Sequence, residues 1–170
     1  NSFDLLSESF SIWYYKNHPT LSTLHNYKKY HNNFKSNDFK SNEQYLLNLN
    51  RFYFELTQIN MQKLNRINKI KYGRIEKTIL KLIYLNENIK EHEWRPSIKL
   101  DEIERGIKYL VNYNYISTIN RMEAINGRLL KVEKILNNIL TNITFLSESE
   151  YSYCIKKIDS IIKLLNNIEI

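Results

Sequence analysis

Residues 125–143 read INGRLLKVEKILNNILTNI, and their apolar spacing decides the fold class. Ile125, Leu129, Val132, Leu136, Ile139 and Ile143 recur at alternating steps of four and three, the spacing of helices packed nearly antiparallel. Ile155, Ile158, Ile162, Leu165 and Ile168 repeat the pattern in a last helix. Between the two, Ser147, Glu148, Ser149 and Glu150 read as a turn and an N-cap with acidic residues in the first turn, which the helix dipole favours. The expectation is a C-terminal antiparallel helical hairpin, with Leu136 in its buried seam.

Working outward, the helical period holds almost throughout. Leu6, Phe10 and Trp13 mark a first helix that stops near His18, because Pro19 disfavours helix in the residue before it. From Pro19 to Asp38 the pattern dissolves into the longest connection. Ser41 and Gln44 have the spacing of a capping box and open a helix striped by Leu46, Leu49, Phe52 or Tyr53, Leu56 and Ile59. Ile75, Ile79, Leu82, Ile83 and Ile89 mark a third helix ending near His92; Leu100, Ile103, Ile107 and Leu110 mark a fourth, interrupted by Tyr113, Asn114 and Tyr115. Residues 1–170 thus read as a single all-α domain, an irregular bundle of about six helices.

Composition excludes the rivals. Three Gly and two Pro are too few for a sandwich, a barrel or a Gly-rich nucleotide loop. The one cysteine, Cys154, makes neither an internal disulfide nor a thiolate zinc site, and on a helix it reads as a small buried apolar residue rather than a nucleophile. No apolar run reaches the eighteen or so residues of a membrane span. The sequence begins at Asn1 rather than Met, so residues upstream of it are expected, a cleaved signal peptide being one reading among several.

The remaining chemistry is sparse. His18, His25, His31 and His92 lack the i, i+4 spacing that presents two imidazoles on one helical face, so ordinary loop and helix-end roles are preferred to a metal. His92-Glu93-Trp94-Arg95-Pro96 starts like an H-E-x-x-H zinc motif, but Pro96 occupies the second histidine's place and breaks the helix. Asp101, Glu102 and Glu104 read as dipole complement on a solvated face. Net charge is +7, and Lys63, Arg66, Lys69, Lys71, Arg74, Lys77 and Lys81 cluster, with Arg74, Lys77 and Lys81 on one face. No aromatic platform interleaves with them, so a solvated face is preferred to a nucleic-acid surface. No catalytic residue, cofactor or metal ligand is assigned. Trp94, between a helix end and Pro96, is expected to plug the core; the rival reading exposes it with Trp13, Tyr14 and Tyr15.

Several blocks in order resemble a bacterial family called domain of unknown function 885. Asn17, His18, Pro19, Thr23, Leu24, His25 and Tyr27 resemble its opening; Ile70, Lys71, Tyr72, Arg74 and Ile75 its "I-D-Y-x-R-L" helix; Glu93, Trp94, Pro96 and Ser97 its "W-x-x-P-S" turn; and Arg121, Met122, Ile125, Leu129 and Leu130 its "R-L-x-x-I-P-x-L-L" segment. His25 stands where the family has Gly, Lys71 where it has an acid, and Asn126 or Gly127 where it has Pro. The resemblance implies an N-terminal helical region of a longer, zinc-metallopeptidase-like protein whose H-E-x-x-H helix lies in a later half absent from this chain. It also implies export, since many such relatives resemble lipoproteins. Two functions stay open: a non-catalytic domain that walls an absent catalytic region, or a stand-alone helical module that binds another protein, with RNA less favoured.

Overall fold

The computed structural model describes residues 2–112 and 116–168. Seven α-helices lie among them: α1 (Ser2–Asn17), α2 (Pro19–Leu24), α3 (Phe39–Thr57), α4 (Arg66–Tyr84), α5 (Ser97–Asn112), α6 (Thr118–Asn142) and α7 (Glu148–Asn166). The described residues contain no strand, and the protein is all-α. The interruption expected at Tyr113, Asn114 and Tyr115 lies outside the described residues.

Helix boundaries follow local chemistry. Pro19 ends α1 and, at the first position of a helix where its missing N–H is no loss, also starts α2. The long connection is therefore less irregular than expected: it holds α2 and a 3-10 turn at Lys28–Tyr30. Helix α3 begins earlier than Ser41, because Asp38 caps it by accepting the Ser41 N–H at 2.9 Å and the Ser41 hydroxyl at 2.9 Å. Asn65 caps α4, and Ser147 caps α7 by accepting the Glu150 N–H at 3.2 Å, as the sequence indicates. Lys90, left-handed at φ 50°, closes the π turn that follows α4.

The helices group into two compact units, a division absent from the single-bundle reading. One comprises Asn1–Tyr14 and Asp38–Lys90. Its core is aromatic: Phe3, Leu6 and Phe10 of α1 bury with Tyr45, Leu49, Phe52 and Leu56 of α3 and Tyr72, Ile75 and Ile79 of α4. Phe10 meets Phe52 edge-on at 5.4 Å, and Trp13 stacks on Tyr45 at 5.1 Å. The α3 and α4 stripes match the sequence periodicity, with Tyr45 buried where Leu46 was expected.

The other unit comprises Tyr15–Asn37 and Glu91–Ile170. Helix α5 is its axis, with Leu100, Ile103, Ile107 and Leu110 all buried as their spacing predicts. Helices α2, α6 and α7 each pack on α5, and α6 and α7 do not pack closely on one another, so the seam expected between them gives way to a cluster that both share with Ile103 and Ile107 of α5. Helix α7 is rotated from its expected face, and α6 only partly so, since Ile125, Val132, Ile139 and Ile143 turn inward as their spacing predicts. On α6 the buried positions are Ala124, Ile125, Arg128, Ile135 and Ile139, while Leu129 and Leu136 keep 36% and 38% exposure. On α7, Cys154 is buried and Ile161, Leu164 and Ile168 pack inward, whereas Ile155, Ile158, Ile162 and Leu165 stay on the open side. The cause is polar. Lys157 and Ser160 turn inward to reach Glu104 of α5, and Arg128 turns inward to a cradle of main-chain oxygens, so charged residues occupy faces that an apolar pattern assigns to solvent.

Candidate functional site

The second unit is organised around Arg128, whose side chain is wholly buried. Its Nε donates to the Asn33 carbonyl at 3.0 Å and its Nη1 to the Gly106 carbonyl. Its Nη2 donates to the Pro19 carbonyl at 3.2 Å and to Thr23 Oγ1 at 2.6 Å. The guanidinium also lies over the Phe34 ring, 5.1 Å from its centre. A single cation thus ties α2, the 31–37 segment, α5 and α6 together. Two glycines make room. A Cβ on Gly106 would collide with Phe34 Cε1 and stand 2.9 Å from its Cζ and 3.0 Å from Arg128 Nη1; one on Gly127 would stand 2.9 Å from Asn32 Cβ.

The same segment is strapped along α6. Lys131 Nζ donates to the Asn32 carbonyl at 3.0 Å and to Asn33 Oδ1. Asn37 Nδ2 donates to the Ile135 carbonyl at 3.0 Å, while Asn138 and Asn142 donate back to the Asn37 side chain and carbonyl at 3.0 and 2.9 Å. Buried polar groups fully matched in this way specify one register.

Beside this strap lies a cavity of about 270 Å³. Lys28, Lys29, His31 and Asn32 form one wall; Ile116, Asn120, Glu123 and Ala124 form the other. His31 is only 6% exposed, and its Nε2 is buried without a hydrogen-bond partner. Burial, with the charges of Arg128 and Lys28 beside it, pushes the imidazole pKa down to about 4, so the ring is neutral at physiological pH.

The other residues singled out by sequence are dispersed. His18 and His25 flank α2, and His25 Nδ1 lies 3.0 Å from the Tyr15 hydroxyl. His92 lies in a 3-10 turn, 3.9 Å from Glu93. Among the described residues no three His, Cys, Asp or Glu side chains are grouped to hold a metal. Asp101 and Glu104 are not simply solvated: both reach Lys157 of α7, at 2.9 and 2.7 Å. Glu102 pairs with Lys99 at 2.6 Å. The Cys154 thiol is buried, and burial with the nearby Glu150 carboxylate pushes its pKa up to about 11, far from thiolate chemistry at neutral pH. Arg74, Lys77 and Lys81 are exposed on α4 opposite buried Ile75 and Ile79. Trp94 keeps 39% exposure, so it is not the expected core plug; Trp13, which the rival reading exposed, packs among Phe10, Tyr45 and Phe52 instead.

Arg128 was invisible to periodicity, which places an arginine outside. The available signal was glycine: Gly106 and Gly127 sit inside helices, where glycine is unfavourable unless a close approach requires it.

The chain is similar in structure to "a putative lipoprotein of unknown function" from Shewanella oneidensis, with a TM-score of 0.74 at 15% identity. The match covers 98% of this chain and 36% of that one, so the chain spans about a third of that protein's length. At this identity the likeness shows a shared all-helical fold. No protein-family model and no curated protein matches the chain. No helix among the described residues is long and apolar enough to cross a membrane.

Proposed function

We propose that this chain is a non-catalytic helical domain of a longer protein and that the outer face of α7 packs on the remainder. The observation that carries the proposal is a stripe of Ile155, Ile158, Ile162 and Leu165, 44%, 40%, 50% and 36% exposed, at the spacing of a buried helical seam. Support also comes from the likeness to a protein nearly three times as long. The sequence resemblance to the domain of unknown function 885 family names the occupant: the later, metallopeptidase-like helical region that follows the N-terminal one in that family.

Hydroxyl-radical footprinting of the isolated chain and of its full-length parent protein tests this. The α7 outer-face aliphatics are expected to label strongly in the isolated chain and to be protected in the parent. Equal labelling in both overturns the proposal, and a parent reading frame without a downstream H-E-x-x-H helix overturns the named occupant.

A further inference from the structure

We propose that the cavity beside His31 binds a small organic anion, a carboxylate or a phosphate monoester, with His31 Nε2, Lys28 and Lys29 supplying the donors. Three independent features converge on it. His31 is more than nine-tenths buried, yet its Nε2 has no partner, and a buried polar atom left unmatched is an unfavourable arrangement that a ligand oxygen would relieve. A neutral imidazole carrying its proton on Nε2 is a donor, so it needs an acceptor, which an anion provides.

Charge points the same way. Lys28 and Lys29 line the cavity with Glu123 as the one acid among the described lining residues, an excess of one positive charge that suits a monoanion. Arg128 adds to the positive potential without being a ligand donor, since its nitrogens are engaged with the main-chain oxygens of Pro19, Asn33 and Gly106 and with Thr23. Buried Ile116 and Ala124 offer an apolar surface for a short aliphatic group.

The main chain of the site is also in place. Arg128 and Lys131 hold the 32–33 main chain against α6 before any ligand arrives, so a ligand has only to part the side chains that cover His31 Nε2. A volume of about 270 Å³ is at the small end for ligand cavities and suits a small anion.

The experiment is an imidazole nitrogen NMR titration of the chain with sodium butyrate and, separately, inorganic phosphate, with chloride at matched ionic strength as control. A saturable shift of the His31 Nε2 signal is expected for one of them, with Kd of about 1 mM or lower, and Lys28→Ala should weaken it about tenfold. Butyrate alone identifies a carboxylate ligand, phosphate alone a phosphate monoester. Saturating ligand should also raise the pH at which His31 protonates. Because Lys28 is exposed, its replacement leaves the fold intact where His31→Ala endangers it. No saturable shift with either anion, the same shift with chloride, or an unchanged Kd in Lys28→Ala overturns the proposal.

Discussion

The ammonium of Lys157 lies 2.7 Å from a carboxylate oxygen of Glu104, joining α7 to α5 from the inward side of α7. Asp101 shares the same ammonium at 2.9 Å, and the two carboxylates hold Lys157 charged, its pKa raised above the ordinary lysine value. That placement chooses between two apolar stripes that α7 offers, and it turns Ile155, Ile158 and Ile162 outward. On α6, Arg128 likewise takes an inward position that periodicity assigns to solvent.

The rotation makes neighbouring residues unequal. Ile135→Ala should cost about 2–5 kcal/mol, while Leu136→Ala, at a position with 38% exposure, should cost less than about 1 kcal/mol. Urea denaturation of both variants checks this, and equal losses would restore the unrotated face.

Removing the buried cation should be severe. Arg128→Ala leaves the Asn33, Gly106 and Pro19 carbonyls short of a donor and empties the site over Phe34, for an expected loss of about 3–5 kcal/mol. Arg128→Lys should recover only part of it, because one ammonium cannot span so many acceptors. Calorimetric melting of the two variants gives the order.

Glycines should respond with opposite signs. Gly73, in mid-α4 with open space around its Cα, should gain about 0.5–1 kcal/mol as Ala, since the helix no longer restrains a freer residue. Gly106→Ala should lose stability, because its Cβ would strike Phe34 and crowd Arg128. Chemical denaturation midpoints moving in opposite directions verify the pair.

His31 should make the fold acid-sensitive. Its pKa lies near 4 in the fold against 6.5 in the unfolded chain, so the unfolded state takes up the proton first as pH falls. The contribution is fully present above about pH 6.5 and is lost between there and about pH 4, worth about 3 kcal/mol over that window. Comparing the stability of the native chain with His31→Gln across that range isolates it; parallel curves would show that His31 does not titrate abnormally.

The two tryptophans should differ in fluorescence. Trp13, stacked on Tyr45 and packed beside Phe52, should emit blue-shifted and resist iodide in a Trp94→Phe variant. Trp94 should emit further to the red and be quenched more readily in Trp13→Phe. Correspondingly, Trp13→Ala should cost about 3 kcal/mol and Trp94→Ala about 1 kcal/mol.

The legible parts of this fold are those governed by apolar burial alone. Leu100, Ile103, Ile107 and Leu110 are buried as spaced, and Leu49, Phe52 and Leu56 likewise. Where a charged side chain is matched inside, as Arg128 and Lys157 are, periodicity misplaces the helix face, because the rule that sends charges outward ignores partners distant in sequence. The α2 helix was missed for a related reason: its buried residues, Pro19, Ser22 and Thr23, are not hydrophobic. His31 was named from sequence only as one loop histidine among three, since neither its burial nor its neighbours can be read from residues adjacent in the chain.

The bond from Arg128 to the Pro19 carbonyl joins residues 109 positions apart. A ribosome adding about 5–20 residues each second adds the early partner roughly 5–20 seconds before the later one. For most of that interval the stretch from Pro19 to Asn37 has been synthesised while the residue that anchors it has not, so the anchoring of this stretch waits on translation of α6. Synonymous changes that slow or speed decoding between Gly106 and Arg128 act on this delay while leaving every contact in the finished molecule untouched.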